Sequence, residues 1–147
     1  MALEPAVFRF STSVRRKGRH AGVMSARGIP DVALGCPEVF GGDEKNWTPE
    51  HLFVAAVEAC IMMTFDEMAA RRGMEIVSYE SSAQATLKAV DKVFRFSEVI
   101  VRPKIALRGT DAGTAAKMVE RAHRKCLVTN SLVTESRVEP EIEIIDG

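Results

Sequence analysis

Trp47–Ala69, WTPEHLFVAAVEACIMMTFDEMA, is the stretch on which the fold turns. Thr48 offers a side-chain oxygen to the free amides of a first helical turn. Pro49 fits that turn because its missing N–H would have no partner there, and Glu50 favours the positive end of the helix dipole. Gly73 marks the stop, so the pattern predicts one helix over Pro49–Arg72, roughly 36 Å long. From Leu52 to Phe65 only Glu58 is charged, and the apolar surface runs nearly all the way round. Such a helix wants cover on every side. The run LFVAAVEACIMM is too short and too closely flanked by charge to span a bilayer.

Upstream of this helix, CPEVFGGDEKNW carries glycines, proline and charge and reads as a loop delivering the chain to the helix. Before it, VFRFSTSV, AGVMSA and PDVALG are β-patterned and broken at Lys17-Gly18 and at Arg27–Pro30, an antiparallel meander. Downstream of Gly73, Met74–Val90 and Phe94–Gly109 form a long hairpin with Asp91-Lys92 at its turn. Thr110 or Asp111 opens a second amphipathic helix with Ala115, Val119, Ala122 and Cys126 along one side, and VEPEIEII supplies a final strand. The expectation is an α+β fold in a single domain over residues 1–147: meander, long buried central helix, hairpin, second helix, final strand.

The chain has 147 residues with 20 Lys and Arg against 20 Asp and Glu. This balance supplies no global field for nucleic acid or for an anionic membrane, so neither is expected as a partner. No basic segment leads into an apolar run at the N-terminus, and a soluble, cytoplasmic protein is expected. Three cysteines are too few, and odd in number, for a secreted disulfide framework, so a disulfide here is expected to be catalytic rather than structural.

Cys60 lies mid-helix and Cys126 ends the run GTAAKMVERAHRKC. A lone buried cysteine is ordinarily core filler, whereas two on separate helices can meet as attacking and resolving thiols. Among Val57, Ala59, Ile61 and Met63, a Cys60 thiol has its pKa raised by desolvation, so it calls for a nearby cation. Arg15, Arg16 and Arg19 are the candidates, and Glu50 is a carboxylate available to orient one of them. At the end of a helix, Cys126 faces a dipole that disfavours its thiolate, which suits a resolving role. Glu50 and Cys60 stand about 15 Å apart along one helix and cannot touch within a chain. A homodimer with two such helices antiparallel about a two-fold axis would cover the apolar helix and bring Glu50 of one subunit towards Cys60 of the other.

These residues carry a resemblance. PEVFGG, then WTPEHLF, then a helical cysteine ten residues after its glutamate, then AHRKC followed by Asn130, resemble the superfamily of osmotically inducible and organic hydroperoxide resistance proteins (OsmC/Ohr). The likeness runs from the first meander to the last strand and is similar to a less characterised OsmC-like branch. It implies an OsmC/Ohr-like fold in an intertwined homodimer and a two-cysteine thiol peroxidase. In that reading Cys60 is peroxidatic, Cys126 resolves it, and Glu50 holds Arg19 (Arg16 the fallback) against the thiolate. The substrate is an organic hydroperoxide, alkyl or fatty-acyl, and a dithiol or lipoyl-type compound is the reductant, in oxidative-stress defence. The chain departs from the family pattern in placing Leu127 after Cys126, where peroxidase members commonly have proline.

Apolar neighbours of Cys60, among them Phe53, Met63 and Phe65, suit such a substrate, although Met62, Met63 and Met68 read equally well as core. Cys36 has nothing nearby to activate it and is assigned no role. His123 shares a face with Cys126, but the spacing lacks a paired-ligand motif; no metal and no cofactor are expected. His51 reads as a partly exposed polar residue, and Glu58 as a buried ion-pair or interface residue. The alternative to a peroxidase is a non-catalytic protein on the same scaffold that binds an apolar ligand or senses redox state.

Overall fold

The structure is a computed structural model and describes residues 5–146. By their contacts these fall into two compact units, divided between Leu52 and Phe53.

In the first unit, β1 (Ser13–Gly18), β2 (Ala21–Ala26) and β3 (Ile29–Leu34) form the expected antiparallel meander. β1 begins later than VFRFSTSV suggested. Ser13 already pairs with Ser25, and β2 ends at Ala26 before the Arg27-Gly28 turn, so the described residues before Ser13 have no partner strand. Phe8 and Phe10 are accordingly exposed. The loop after β3 folds tightly: Glu38–Phe40 makes one 3₁₀ turn, and the amide of Gly42 donates to the Pro37 carbonyl at 2.9 Å. A Cβ on Gly42 would collide with the Cys36 carbonyl, which explains the second glycine of PEVFGG. Trp47 bridges back to Leu34, and the buried Thr48 accepts the amide of His51 at 3.2 Å, capping the next helix as expected.

That helix, α1, spans Pro49–Arg71, and Gly73 beyond it takes a left-handed φ of 67°. In the second unit its residues Val57, Ile61, Phe65 and Ala69 form one buried stripe at four-residue spacing. The hairpin β4 (Glu75–Val90) and β5 (Val93–Arg108) turns at Asp91-Lys92, both with positive φ as a tight two-residue turn requires. Along β5, Val99, Val101, Pro103, Ile105 and Leu107 are buried at every second position. α2 (Ala112–Lys125) is capped by Asp111, whose carboxylate accepts the Thr114 amide at 2.8 Å.

The final strand is two strands, which corrects the single VEPEIEII segment. β6 (Glu135–Val138) and β7 (Glu141–Ile144) both pair parallel to β5, at Glu98–Val101 and Lys104–Leu107. Pro140, with no amide hydrogen, interrupts the ladder between them. The parallel pairing follows from the return of the chain through α2 and the short α3 (Leu127–Asn130), a helix the sequence reading did not foresee. Two apolar clusters result. Phe65, Ala69, Ile105, Leu107, Ala115, Met118, Val119 and Ala122 form one; Val57, Ile61, Val99, Val101 and Cys126 form the other. Among the described residues no helix is long and apolar enough to cross a membrane.

Candidate active site

The second cluster holds both thiols. Cys126 is 0% exposed within it, and the half-buried Cys60 packs against it with Phe53, Val128 and Leu132. Both cysteines are free thiols. Cys126 is the hinge between two helices. Its amide ends α2 by donating to the His123 carbonyl at 3.2 Å, and its carbonyl starts α3 by accepting the Asn130 amide at 3.0 Å. Its own backbone is extended, φ −62° and ψ 118°. The Thr129 hydroxyl donates to the Cys126 carbonyl at 3.1 Å, and Asn130 Nδ2 donates to the Arg124 carbonyl at 3.0 Å, so the turn is tied from both sides.

The first amides of any helix lack intrahelical acceptors. In α3 sulfur takes them. Burial works to raise the Cys60 thiol, but the Val128 amide, the Cys126 thiol, the Leu127 amide and the Thr64 hydroxyl all hydrogen-bond the sulfur and together hold it below the ordinary range. At Cys126 burial dominates. The amide and hydroxyl of Thr129 oppose it, the neighbouring Cys60 adds to it, and the thiol lies above its ordinary value. Cys60 therefore ionises first and Cys126 stays a thiol that donates to it. Backbone amides also act on the sulfur, beside the cation expected for it from the sequence. They were missed because amide donors leave no mark in residue identity. Thr64, which also donates to the Cys60 carbonyl at 2.8 Å, and Thr129 were legible only as residues one turn from each cysteine.

The other expected residues are distributed as follows. Phe53 belongs to the thiol cluster and stacks on Phe96, ring centroids 4.4 Å apart and nearly parallel. Met63 is 62% exposed. Phe65 is 1% exposed and lies in the neighbouring cluster, its ring 6.0 Å from that of Tyr79. Glu50 has a buried carboxylate oxygen, Oε2, without a hydrogen-bond partner among the described residues. Arg19 is exposed in the β1–β2 turn and forms no ion pair among the described residues, so the structure does not bring Arg19 and Glu50 together. Arg15 and Arg16 are likewise exposed.

His51 turns its Nδ1 to the Thr48 hydroxyl at 2.7 Å. His123 Nε2 lies 2.7 Å from the Ser136 hydroxyl, and burial, with Arg124 nearby, keeps its imidazole below the usual range and neutral. Glu58 Oε1 is buried without a hydrogen-bond partner among the described residues. Burial, assisted by the Glu58 charge, pushes Tyr79 up to about 12. The Cys36 sulfur donates to the Phe40 carbonyl at 3.8 Å.

An α+β protein with two apposed thiols of opposite acidity is thus defined by the fold and by the site. The chain belongs to the OsmC-like protein family, whose model matches residues 42–141. Among curated relatives, peroxiredoxin OsmC of Escherichia coli (strain K12) is 28% identical over 100 residues, covering 68% of this chain and 70% of its own. The organic hydroperoxide resistance protein of Xanthomonas axonopodis pv. citri is 27% identical over 118 residues, covering 78% and 80%. An OsmC-like protein of unknown function from Vibrio cholerae O1 superposes with a TM-score of 0.80 at 26% identity, over 95% of this chain and 100% of that one. The OsmC/Ohr fold expected from the sequence is the fold observed.

Proposed function

We propose that this chain is a single OsmC-like domain acting in the cytoplasm as a two-cysteine thiol peroxidase for organic hydroperoxides. The observation that carries the reading is the packing of the Cys60 thiol against the buried Cys126 thiol in one apolar cluster. The Cys60 thiolate attacks the terminal oxygen of the hydroperoxide, the O–O bond breaks, and the alkoxide leaves and takes up a proton as alcohol. Cys60 becomes a sulfenic acid. Cys126, already in contact, attacks that sulfur and expels water, forming a disulfide. An external dithiol or lipoyl-type reductant supplies two electrons and two protons to reopen it. The relatives named peroxiredoxin and organic hydroperoxide resistance protein support this chemistry.

Phe53, stacked beside the thiol cluster, and exposed Met63 are our candidates for the apolar part of the substrate, and we assign Phe65 to packing. A homodimer completes the proposal. α1 buries a single stripe and leaves Ala56, Ala59 and Met63 exposed, which a second copy would cover. The unpartnered oxygen of Glu50 invites an arginine of the meander, Arg19 first and Arg16 second, to hold against the reacting peroxide. The test is consumption of tert-butyl hydroperoxide in metal-free buffer with excess dithiol, wild type beside Cys60→Ser. Turnover lost in the variant is the expected result. Equal rates, with the wild-type thiols still reduced, would overturn the enzyme and leave a protein that binds an apolar ligand or senses redox state.

A further inference from the structure

His123 and Ser136 place polar side chains on two faces that are otherwise apolar, and each finds its partner in the other. On α2 the buried positions are Ala115, Met118, Val119 and Ala122, and His123 stands half-buried at the margin of that face. On β6 the half-buried positions are Ser136 and Val138, and Ser136 lies opposite Val99, a buried member of the thiol cluster. His123 Nε2 and the Ser136 hydroxyl meet at 2.7 Å across 13 residues of chain. Between them lie Cys126, the whole of α3 and the return to β6. That segment has little apolar hold of its own. Val128 and Leu132 pack against the thiol cluster, whereas Leu127 and Val133 are exposed. Hydrogen bonds secure the rest, and His123 gathers two of them: its carbonyl accepts the Cys126 amide at 3.2 Å and the Thr129 hydroxyl at 3.3 Å.

We propose that His123 and Ser136 are positioning residues for Cys126: their hydrogen bond clasps the base of the 123–136 segment and keeps the Cys126 sulfur enclosed beside Cys60. His123 reaches the sheet through its imidazole and the hinge through the carbonyl that receives the Cys126 amide, so one residue ties the two together. The post it is tied to is firm. β6 is held by its ladder to β5, and on the strand's other face Arg137 pairs with Glu98 of β5 at 3.0 Å. Freed from Ser136, the end of α2 keeps its helical hydrogen bonds but loses its side-chain tie to the sheet. A segment with few buried apolar contacts then opens locally more readily than the core around it. Cys126 bears the consequence because it is wholly enclosed, and a reagent reaches its sulfur only when the segment swings out.

The inference deepens the reading of Cys126 as the resolving thiol, yet its test uses reduced protein and no peroxide, so failure of the peroxidase reading is seen separately. The readout is the rate at which iodoacetamide labels Cys126 at one fixed pH, followed on its own peptide by mass spectrometry. Hydrogen exchange of the α1 amides at residues 57–65 measures the core alongside it. Ser136→Ala removes the hydroxyl and speeds Cys126 labelling about fivefold, the worth of one hydrogen bond between neutral groups, with α1 exchange unchanged. His123→Leu does the same, and combining the two adds nothing because both delete one bond. His123→Gln, whose side-chain amide reaches the place of Nε2, labels close to the wild-type rate. Cys126 labelling at the wild-type rate in Ser136→Ala overturns the proposal, as does an equal acceleration of α1 exchange or a double variant in which the two effects multiply. Should Ser136→Ala fail to fold, His123→Leu against His123→Gln decides, and equal rates in those two overturn the clasp.

Discussion

Phe65 and Met63 lie two positions apart on α1, and the structure predicts that alanine at each will have very different consequences. Phe65 is 1% exposed and packed in a cluster with Ala69, Ile105, Leu107 and the buried side of α2. Truncating a buried phenylalanine costs about 3–5 kcal/mol, part transfer and part cavity. Met68 and Met74 border that cluster, and their flexible thioether chains can lean into the space, which places the expected cost near the lower end, about 3 kcal/mol. In a chain of this size that is a fall in melting temperature of roughly 6–12 °C. Met63, 62% exposed, loses little packing, and Met63→Ala stays within about 0.5 kcal/mol of wild type. Urea unfolding followed by far-ultraviolet circular dichroism measures both, at one protein concentration so that any self-association weighs equally on each. A Phe65→Ala cost below about 1 kcal/mol would refute the packing argument and return Phe65 to the substrate.

Three further outcomes are expected. Iodoacetamide should label Cys60 at lower pH than Cys126, and Cys126→Ala should move the Cys60 midpoint upward by removing the thiol that donates to it; identical midpoints for the two cysteines would contradict the geometry. Tyr79 is the sole tyrosine, so phenolate absorbance near 295 nm reports it alone, with a midpoint of about 12 that falls in Glu58→Gln. Since its folded value is raised above the unfolded value of about 10, its contribution to stability is intact below that pH and is lost as pH climbs through about 12. Tyr79→Phe should flatten the stability profile over that window. Asp111→Ala deletes the α2 cap and should lower the urea midpoint, while Asp111→Asn, which keeps an acceptor, recovers most of the loss.

Much of this architecture was written in local signals. Thr48-Pro49-Glu50 and Gly73 bracket α1 because capping oxygen, ring-fixed φ and a left-handed glycine are properties of single residues. Asp91-Lys92 located the hairpin for a similar reason. The late start of β1 was hidden because strand length is set by the partner, and β2 is short. Pro140 signalled a break, but the pairing of both halves of the last strand with β5 depends on where α2 and α3 return the chain. The cysteines were legible as a pair from their setting and spacing. Their acidities were not, because those depend on main-chain donors that a turn of backbone brings to the sulfur.

The hinge at Cys126 also bears on the way back from the oxidised state. In the disulfide of the proposed cycle, an incoming thiolate has two sulfurs to choose between, and the bond breaks more readily when the departing sulfur is the better-stabilised anion. That sulfur is Cys60, received by amides already in place, so electronic preference directs the reductant to Cys126. Yet Cys126 is wholly enclosed while Cys60 is partly open. Reduction then asks for something forward catalysis does not: an opening of the α2–α3 joint wide enough to admit a sulfur. The pace of recovery would be governed by the looseness of a four-residue helix.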